Sequence, residues 1–340
     1  MIRHIKVDLP LNLAKDDSCV FKNSGYDLAP LKVSELRNVI ITYDGVCLSD
    51  CNLVKESIYG YRDKITIYTL TSKLDLLNHD TYQLNDSNSY LLIHSPLFSY
   101  YHWLTESIPR LLLVKSQIKD LTLLLPDSLK NVGFVQYSLK PFSFKNIVYI
   151  PKKTNMKVRH LILPQIKPYF TSYYPEVVNE VRNLYTEYLK NHPVYTKNLH
   201  GRIFLCNKKE VINIFDVRSL LDQYNFKYLD IQGCSFFELV QFMNKTKFII
   251  SADADNFACI NFMNKGTSVL ELIRKQTNDI NKPDLRFLYL ASNLELKYYY
   301  QFCSPLQKSS LKIYSKIKVD IKLLKKNIDL IMMNQAYSVN

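Results

Sequence analysis

Residues 100–110 read Tyr-Tyr-His-Trp-Leu-Thr-Glu-Ser-Ile-Pro-Arg, the densest run of chemically capable side chains in the sequence. On a helix, His102 and Glu106 are four apart and share a face, and Arg110 falls four further along. An imidazole beside a carboxylate can hold and move a proton, with the carboxylate orienting the ring. The same spacing also fits a plain helix start in which Glu106 and Arg110 pair as ions. Trp103, the single tryptophan, sits next to the histidine.

A second group begins where the apolar run 248–251 breaks into Ala252-Asp253-Ala254-Asp255-Asn256. Asp253 or Asp255 can cap the helix expected to start near Asn256. The functional reading is that the carboxyl end of this strand and the helix start face a ligand. Carboxylates there would repel a bare phosphate and suit the hydroxyls of a sugar or ribose. Glu271, late in the apolar strand Ser268-Val269-Leu270-Glu271-Leu272, suits a ribose diol, or else an edge position facing water. Lys208 and Lys209, just past a strand at 202–206, offer two ammonium groups to a diphosphate.

The elements that must position these residues alternate regularly from residue 90 onward. Strands are expected at 90–94, 121–125 and 146–150, with helices at 102–116 and 128–138 between them. A strand at 158–163 and an aromatic, proline-bearing run lead to a helix ending near Lys190. The second half repeats the alternation: strands at 202–206, 226–230, 248–251 and 268–272, helices at 215–223, 235–245 and 256–263. Such alternation means βαβ units and a parallel sheet. Two successive runs suggest two Rossmann-like halves, with ligands beyond the carboxyl ends of the strands and a site in the cleft between lobes. The first ~85 residues carry short β-rich runs, such as 39–43 and 64–70, with a turn at Tyr43-Asp44-Gly45. The tail, 306–340, holds seven lysines and two aspartates. Its Ile317, Ile321, Leu324, Ile328 and Ile331 form the stripe of an amphipathic helix, suited to packing on a core or to an anionic membrane surface.

Composition narrows the functions. Lys+Arg 44 against Asp+Glu 31 leaves +13, a field that favours anionic partners. No run reaches the ~18 apolar residues of a membrane span, and the N-terminus lacks the apolar core of a secretory signal, so a cytoplasmic location is expected. Only 7 glycines occur, and neither G-x-G-x-x-G nor the Walker A pattern is present. The seven cysteines are scattered; Cys47 and Cys51 are the closest pair, without a second pair that would make a zinc site. Reduced thiols are the expectation. No nucleic-acid recognition motif accompanies the charge.

Taken in order, these clusters resemble glycosyltransferase family 61. Its Tyr-His-Trp-Leu-x-Glu-x-x-Pro-Arg-Leu segment is matched at every specified position by residues 101–111. Its second half is echoed by Asp253-Ala254-Asp255-Asn256, then Phe262-Met263, Gly266-Thr267 and Val269-Leu270-Glu271-Leu272. The resemblance implies an α/β, GT-B-like fold, with an acceptor-side lobe over 1–190, a nucleotide-sugar lobe over 191–305 and the basic helical tail over 306–340. It implies inverting transfer without an obligatory metal or cofactor, from a nucleotide sugar expected to be UDP-linked. His102 and Glu106 would stand near the reaction centre, either being the base, supported by Trp103 and Arg110. Lys208 and Lys209 would meet the diphosphate, Asp253, Asp255 and Asn256 the sugar or nucleotide, and Glu271 the ribose. The acceptor would be an oligosaccharide or lipid-linked glycan of a cell-surface polysaccharide or glycolipid, which fits peripheral contact with the inner face of an anionic membrane. Three departures support an alternative, a catalytically silent homologue that binds glycans or scaffolds a partner. Ala254 replaces a glycine of the family's turn, Cys259 an asparagine, and Lys208-Lys209 an arginine-bearing segment.

Overall fold

In the computed structural model, the described residues are 1–22, 25–58, 65–84, 87–167, 171–194, 196, 199–205, 210–252, 255–275, 283–305 and 316–336. Contacts divide the chain into two units, one of Met1–Arg3 with Leu28–Leu184, the other of His4–Asp27 with Tyr185–Asn340. Two short strands, β1 (Arg3–Lys6) and β2 (Gly25–Leu28), pair with each other.

The first unit is built on an eight-stranded mixed sheet. Its strands are β3 (Val33–Ile41), β4 (Cys47–Ser49), β5 (Asn52–Leu53), β6 (Asp80–Leu84), β7 (Ser89–Leu92), β8 (Leu121–Pro126), β9 (Asn146–Ile150) and β10 (Thr154–Pro164). Their order is β5-β4-β3-β10-β7-β8-β9, with β6 also on β10. β3, β4 and β5 are antiparallel, and β7, β8 and β9 run parallel. Every residue of β8, Leu-Thr-Leu-Leu-Leu-Pro, is buried, as a continuous apolar strand covered on both faces must be. The turn at Tyr43-Asp44-Gly45 joins β3 to β4. Gly45 has φ 86°, and a Cβ there would lie 2.8 Å from the His94 ring, so this position demands glycine.

The helices of this unit are α1 (Ile65–Asn78), α2 (Tyr100–His102), α3 (Ile108–Leu112), α4 (Gly133–Ser138) and α5 (Pro175–Asn191). The run 64–70, expected to be β-rich, lies largely in α1. The isoleucines and threonines that favour a strand are followed by Ser-Lys-Leu-Asp-Leu-Leu-Asn, and the longer helical segment prevails. The helix expected at 102–116 starts at Tyr100 and ends at Leu112, with a 3-10 segment over Lys115–Asp120. α5 begins in this unit and passes into the second.

The second unit carries a six-stranded sheet in the order β12-β11-β13-β14-β15-β16. These are β11 (Arg202–Leu205), β12 (Lys227–Leu229), β13 (Phe248–Ser251), β14 (Ser268–Arg274), β15 (Lys297–Pro305) and β16 (Ile317–Lys318). All are parallel except β16, which is antiparallel to β15. The helices are α6 (Ile214–Gln223), α7 (Phe236–Lys245), α8 (Arg286–Asn293) and α9 (Ile321–Ala336). Ser235 and Glu238 close a capping box at the start of α7, satisfying two backbone donors. The segment expected to be helical over 256–263 is a 3-10 turn, Asn256–Phe262.

The core of this unit joins Phe204, Phe248, Ile250, Leu270 and Tyr299 from the sheet to Val217 and Leu221 of α6. Leu324, Ile328 and Ile331 of α9 are fully buried in the same core. Residues His4–Asp27 belong here because they run along β15. Leu11 N–H donates to Tyr298 O at 2.9 Å, and Asn12 exchanges bonds with the Tyr300 backbone at 2.8 and 3.1 Å. The segment thereby covers strand edge that would otherwise present unpaired backbone groups.

Candidate acid–base site

His102 and Glu106 come together because the helix that carries them is not uniform. Ser99 caps α2, its side chain accepting the His102 N–H. Trp103–Ser107 then forms a π-helical turn, closed by Ile108 N–H on Trp103 O, before α3 resumes. Proline explains the change of pitch. Pro109 has no N–H for the carbonyl four residues back, at Thr105, and its ring crowds that carbonyl. The turn widens instead, as α-helices often do at functional sites.

In this setting His102 Nδ1 lies 3.1 Å from Glu106 Oε1, with the side chains 13 % and 5 % exposed. The wider turn leaves the i,i+4 pair intact and turns both groups away from bulk water. Trp103 is fully buried and donates its indole N–H to Ser138 Oγ at 2.7 Å. Arg110 is also buried; its guanidinium donates to Pro164 O at 2.7 Å and to His94 O at 3.2 Å. Trp103 and Arg110 therefore tie the helix to α4, to the end of β10 and to the segment after β7.

A buried cation that the sequence did not announce lines the same small cavity as Glu106. Lys167 Nζ donates to Tyr101 Oη at 2.9 Å, and Tyr101 Oη is 2.5 Å from Tyr173 Oη. The ammonium also lies 4.0 Å from the centre of the Tyr173 ring, a cation–π contact. Glu106, Thr105, Gln165, Lys167, Ser172 and Tyr173 contribute to a cavity of about 20 Å³. That volume suits one water, not a sugar ring. The only hint in the sequence is one lysine at the head of the aromatic run that ends at Tyr174.

His94, on the segment after β7, is buried with Nε2 donating to Tyr43 O at 3.3 Å. Burial lowers its pKa to about 4, with the Arg110 charge acting in the same direction. It is a neutral structural histidine.

In the second unit, Glu271 lies in β14, an interior strand, so it is not at a sheet edge. It pairs in register with Ser251 at the end of β13 on one side and Tyr300 on the other. Tyr298 donates to Glu271 Oε2 at 2.5 Å. Burial, with a smaller push from Asp284, raises the Glu271 pKa to about 8, against the lowering effect of the Tyr298 bond. A carboxyl that keeps its proton at neutral pH both donates and accepts hydrogen bonds, as a diol partner must. Asp255 stands at the N-cap of Asn256–Phe262 without a side-chain capping bond, and Asn256 opens that turn. Lys208, Lys209 and Asp253 lie outside the described residues.

The described cysteines are free thiols, with Cys47 buried and Cys51 exposed. Among the described residues no three His, Cys, Asp or Glu side chains gather as a metal cage. No helix among them is long and apolar enough to cross a membrane.

Comparison with known proteins adds the family. The family model described as Glycosyltransferase 61 matches residues 100–270, about half of the chain. The match opens on the first residue of α2 and closes within β14, one residue before Glu271. No curated protein matches the chain.

Proposed function

The chain belongs to the glycosyltransferase 61 family, and from that premise we propose that it moves a sugar, with inversion, from a nucleotide-activated donor to a glycan hydroxyl. Membership implies glycosyl transfer, with a sugar donor and a glycan acceptor; the finer assignments are our reading. The observation that carries it is the pair of partly exposed His102 and buried Glu106, 3.1 Å apart, on the helix at which the family match begins.

With Nδ1 turned to Glu106, the imidazole is held in one orientation, and Nε2 is the nitrogen for the acceptor's proton. The acceptor oxygen bonds to the anomeric carbon as that carbon's bond to the leaving phosphate oxygen breaks. The electron pair stays on the diphosphate, and the acceptor's proton goes to His102. Glu106 then stabilises the imidazolium, as a carboxylate beside a catalytic histidine does. Lys208 and Lys209 would meet the diphosphate charge. Asp253, Asp255 and Asn256 would hold the sugar or nucleotide, and Glu271 the ribose. This reading takes the chain as GT-B-like, with the acceptor held by the N-terminal lobe and the donor by the C-terminal lobe. A polysaccharide or glycolipid of the cell surface is the acceptor class we favour.

A thermal-shift panel of UDP, GDP, CDP and CMP and their sugars tests it. A ligand at a hundred times its Kd adds about 2.7 kcal/mol to stability, a visible rise in Tm. One nucleotide class should stabilise the protein, and its sugar should then release free nucleotide in the presence of a glycan acceptor. No stabilisation by any of them would favour the silent, glycan-binding alternative.

A further inference from the structure

Helix α1 leaves four of its aliphatic residues exposed. Ser72 is buried, and Tyr68 packs against the small cluster of Val46 and Ile58. Ile67, Leu70, Leu74 and Leu77, by contrast, are 58 %, 62 %, 46 % and 81 % exposed. Their spacing of three, four and three residues puts all four in one stripe along the helix. Lys73, Thr71 and Asn78, all exposed, flank the stripe. A globular helix normally shows the reverse, with its stripe inward. α9 does so: the stripe through Leu324, Ile328 and Ile331 is buried in the core and offers nothing to lipid.

An exposed contiguous apolar surface marks a place of association. A stable protein interface takes about 20–30 residues a side, and four aliphatic side chains on three turns fall far short. A lipid interface requires no complementary shape. It accepts a helix lying in its plane with the apolar face buried to the depth of the acyl boundary. The net charge of +13 draws the chain to anionic head groups. Lys73, beside Leu70 and Leu74, has the reach to extend its ammonium to a phosphate while its stem stays in the apolar layer. We propose that α1 is the surface by which this protein lies on an anionic membrane, with Ile67, Leu70, Leu74 and Leu77 inserted.

The test is co-sedimentation of the full chain with vesicles of phosphatidylcholine, alone or with one third phosphatidylglycerol. The wild type should pellet with the anionic vesicles and much less with the neutral ones. The double variant Leu70→Ser, Leu74→Ser should lose binding by about tenfold or more, with only a small fall in Tm, since both side chains are exposed and serine is a somewhat weaker helix former. Leu323→Ser, an exposed position on α9, should bind as the wild type does. Failure of the wild type to bind anionic vesicles, or equal binding by the double variant, overturns the proposal. So does a dimer in solution that the double variant converts to a monomer, since a second copy would then occupy the stripe. None of these outcomes depends on which sugar the protein transfers.

Discussion

Tyr298, on β15, donates its phenolic proton to Glu271 on the neighbouring strand β14 at 2.5 Å, both groups lying in the interior of the second unit's sheet. Burial raises the Glu271 pKa to about 8 from an ordinary value near 4.5, so the folded chain binds that proton more tightly than the unfolded one. The resulting stability is fully present below the unfolded pKa and is lost as pH rises toward 8. The loss runs to about 1.4 kcal/mol per pH unit across that window. Glu271→Gln, which is neutral throughout, should flatten this decline. A Tm series across the window should show the variant gaining on the wild type as pH rises; parallel curves would mean that Glu271 ionises normally.

His94 acts with the opposite sign. Its pKa falls from 6.5 to about 4 in the folded state, so the unfolded chain takes up the proton first on acidification. Its contribution is present above the unfolded pKa and lost as pH falls from about 6.5 toward 4. Urea midpoints over that range should drop less steeply in His94→Gln than in the wild type, whatever the variant's stability at neutral pH.

Trp103 anchors the π-helical turn. Trp103→Ala should cost about 3–5 kcal/mol, the range for emptying a large aromatic site in a core. Trp103→Phe keeps most of the volume but leaves Ser138 without its indole donor, at about 1–3 kcal/mol. Denaturant titration separates the two. Equal losses would indicate that the 2.7 Å bond, which both variants lose, and not packing, holds this residue.

For transfer itself, His102→Ala and Glu106→Gln should each lower the rate by about 10²–10⁴, the usual contribution of a positioned acid–base group. If they act as one unit, the double variant should be little worse than the worse single one. Nucleotide release measured with the stabilising nucleotide sugar reads this directly, and fully multiplicative losses would separate the two residues' roles. The nucleotide's own thermal shift should survive in all three variants.

Much of the secondary structure is written locally. β9 and β13 fall on the runs 146–150 and 248–251, short and largely apolar segments of strand length between polar turns; β13 is buried throughout, whereas β9 stands at its sheet's edge and is only half-buried. The pairing of His102 with Glu106 is equally local, since four residues along a helix bring two side chains to one face whatever else the chain does. Even the π turn has its cause in a single residue, Pro109.

Local chemistry thus sets the alternation of elements and the spacing of groups within one of them. What covers each face depends on contacts between distant parts of the chain. Lys167 meets Tyr101 across 66 residues, and Tyr173 meets it across 72, contacts that no period in the sequence encodes. His4–Asp27 joined the second unit through hydrogen bonds to β15, nearly three hundred residues away. The two apolar stripes make the same point most sharply. Hydrophobic periodicity marked one helical stripe from Ile317 to Ile331, of which Ile317 falls in β16 and Leu324, Ile328 and Ile331 are buried in α9, and it passed over the stripe of α1, which is exposed. Periodicity reports which residues share a face; burial depends on what the rest of the chain brings against it.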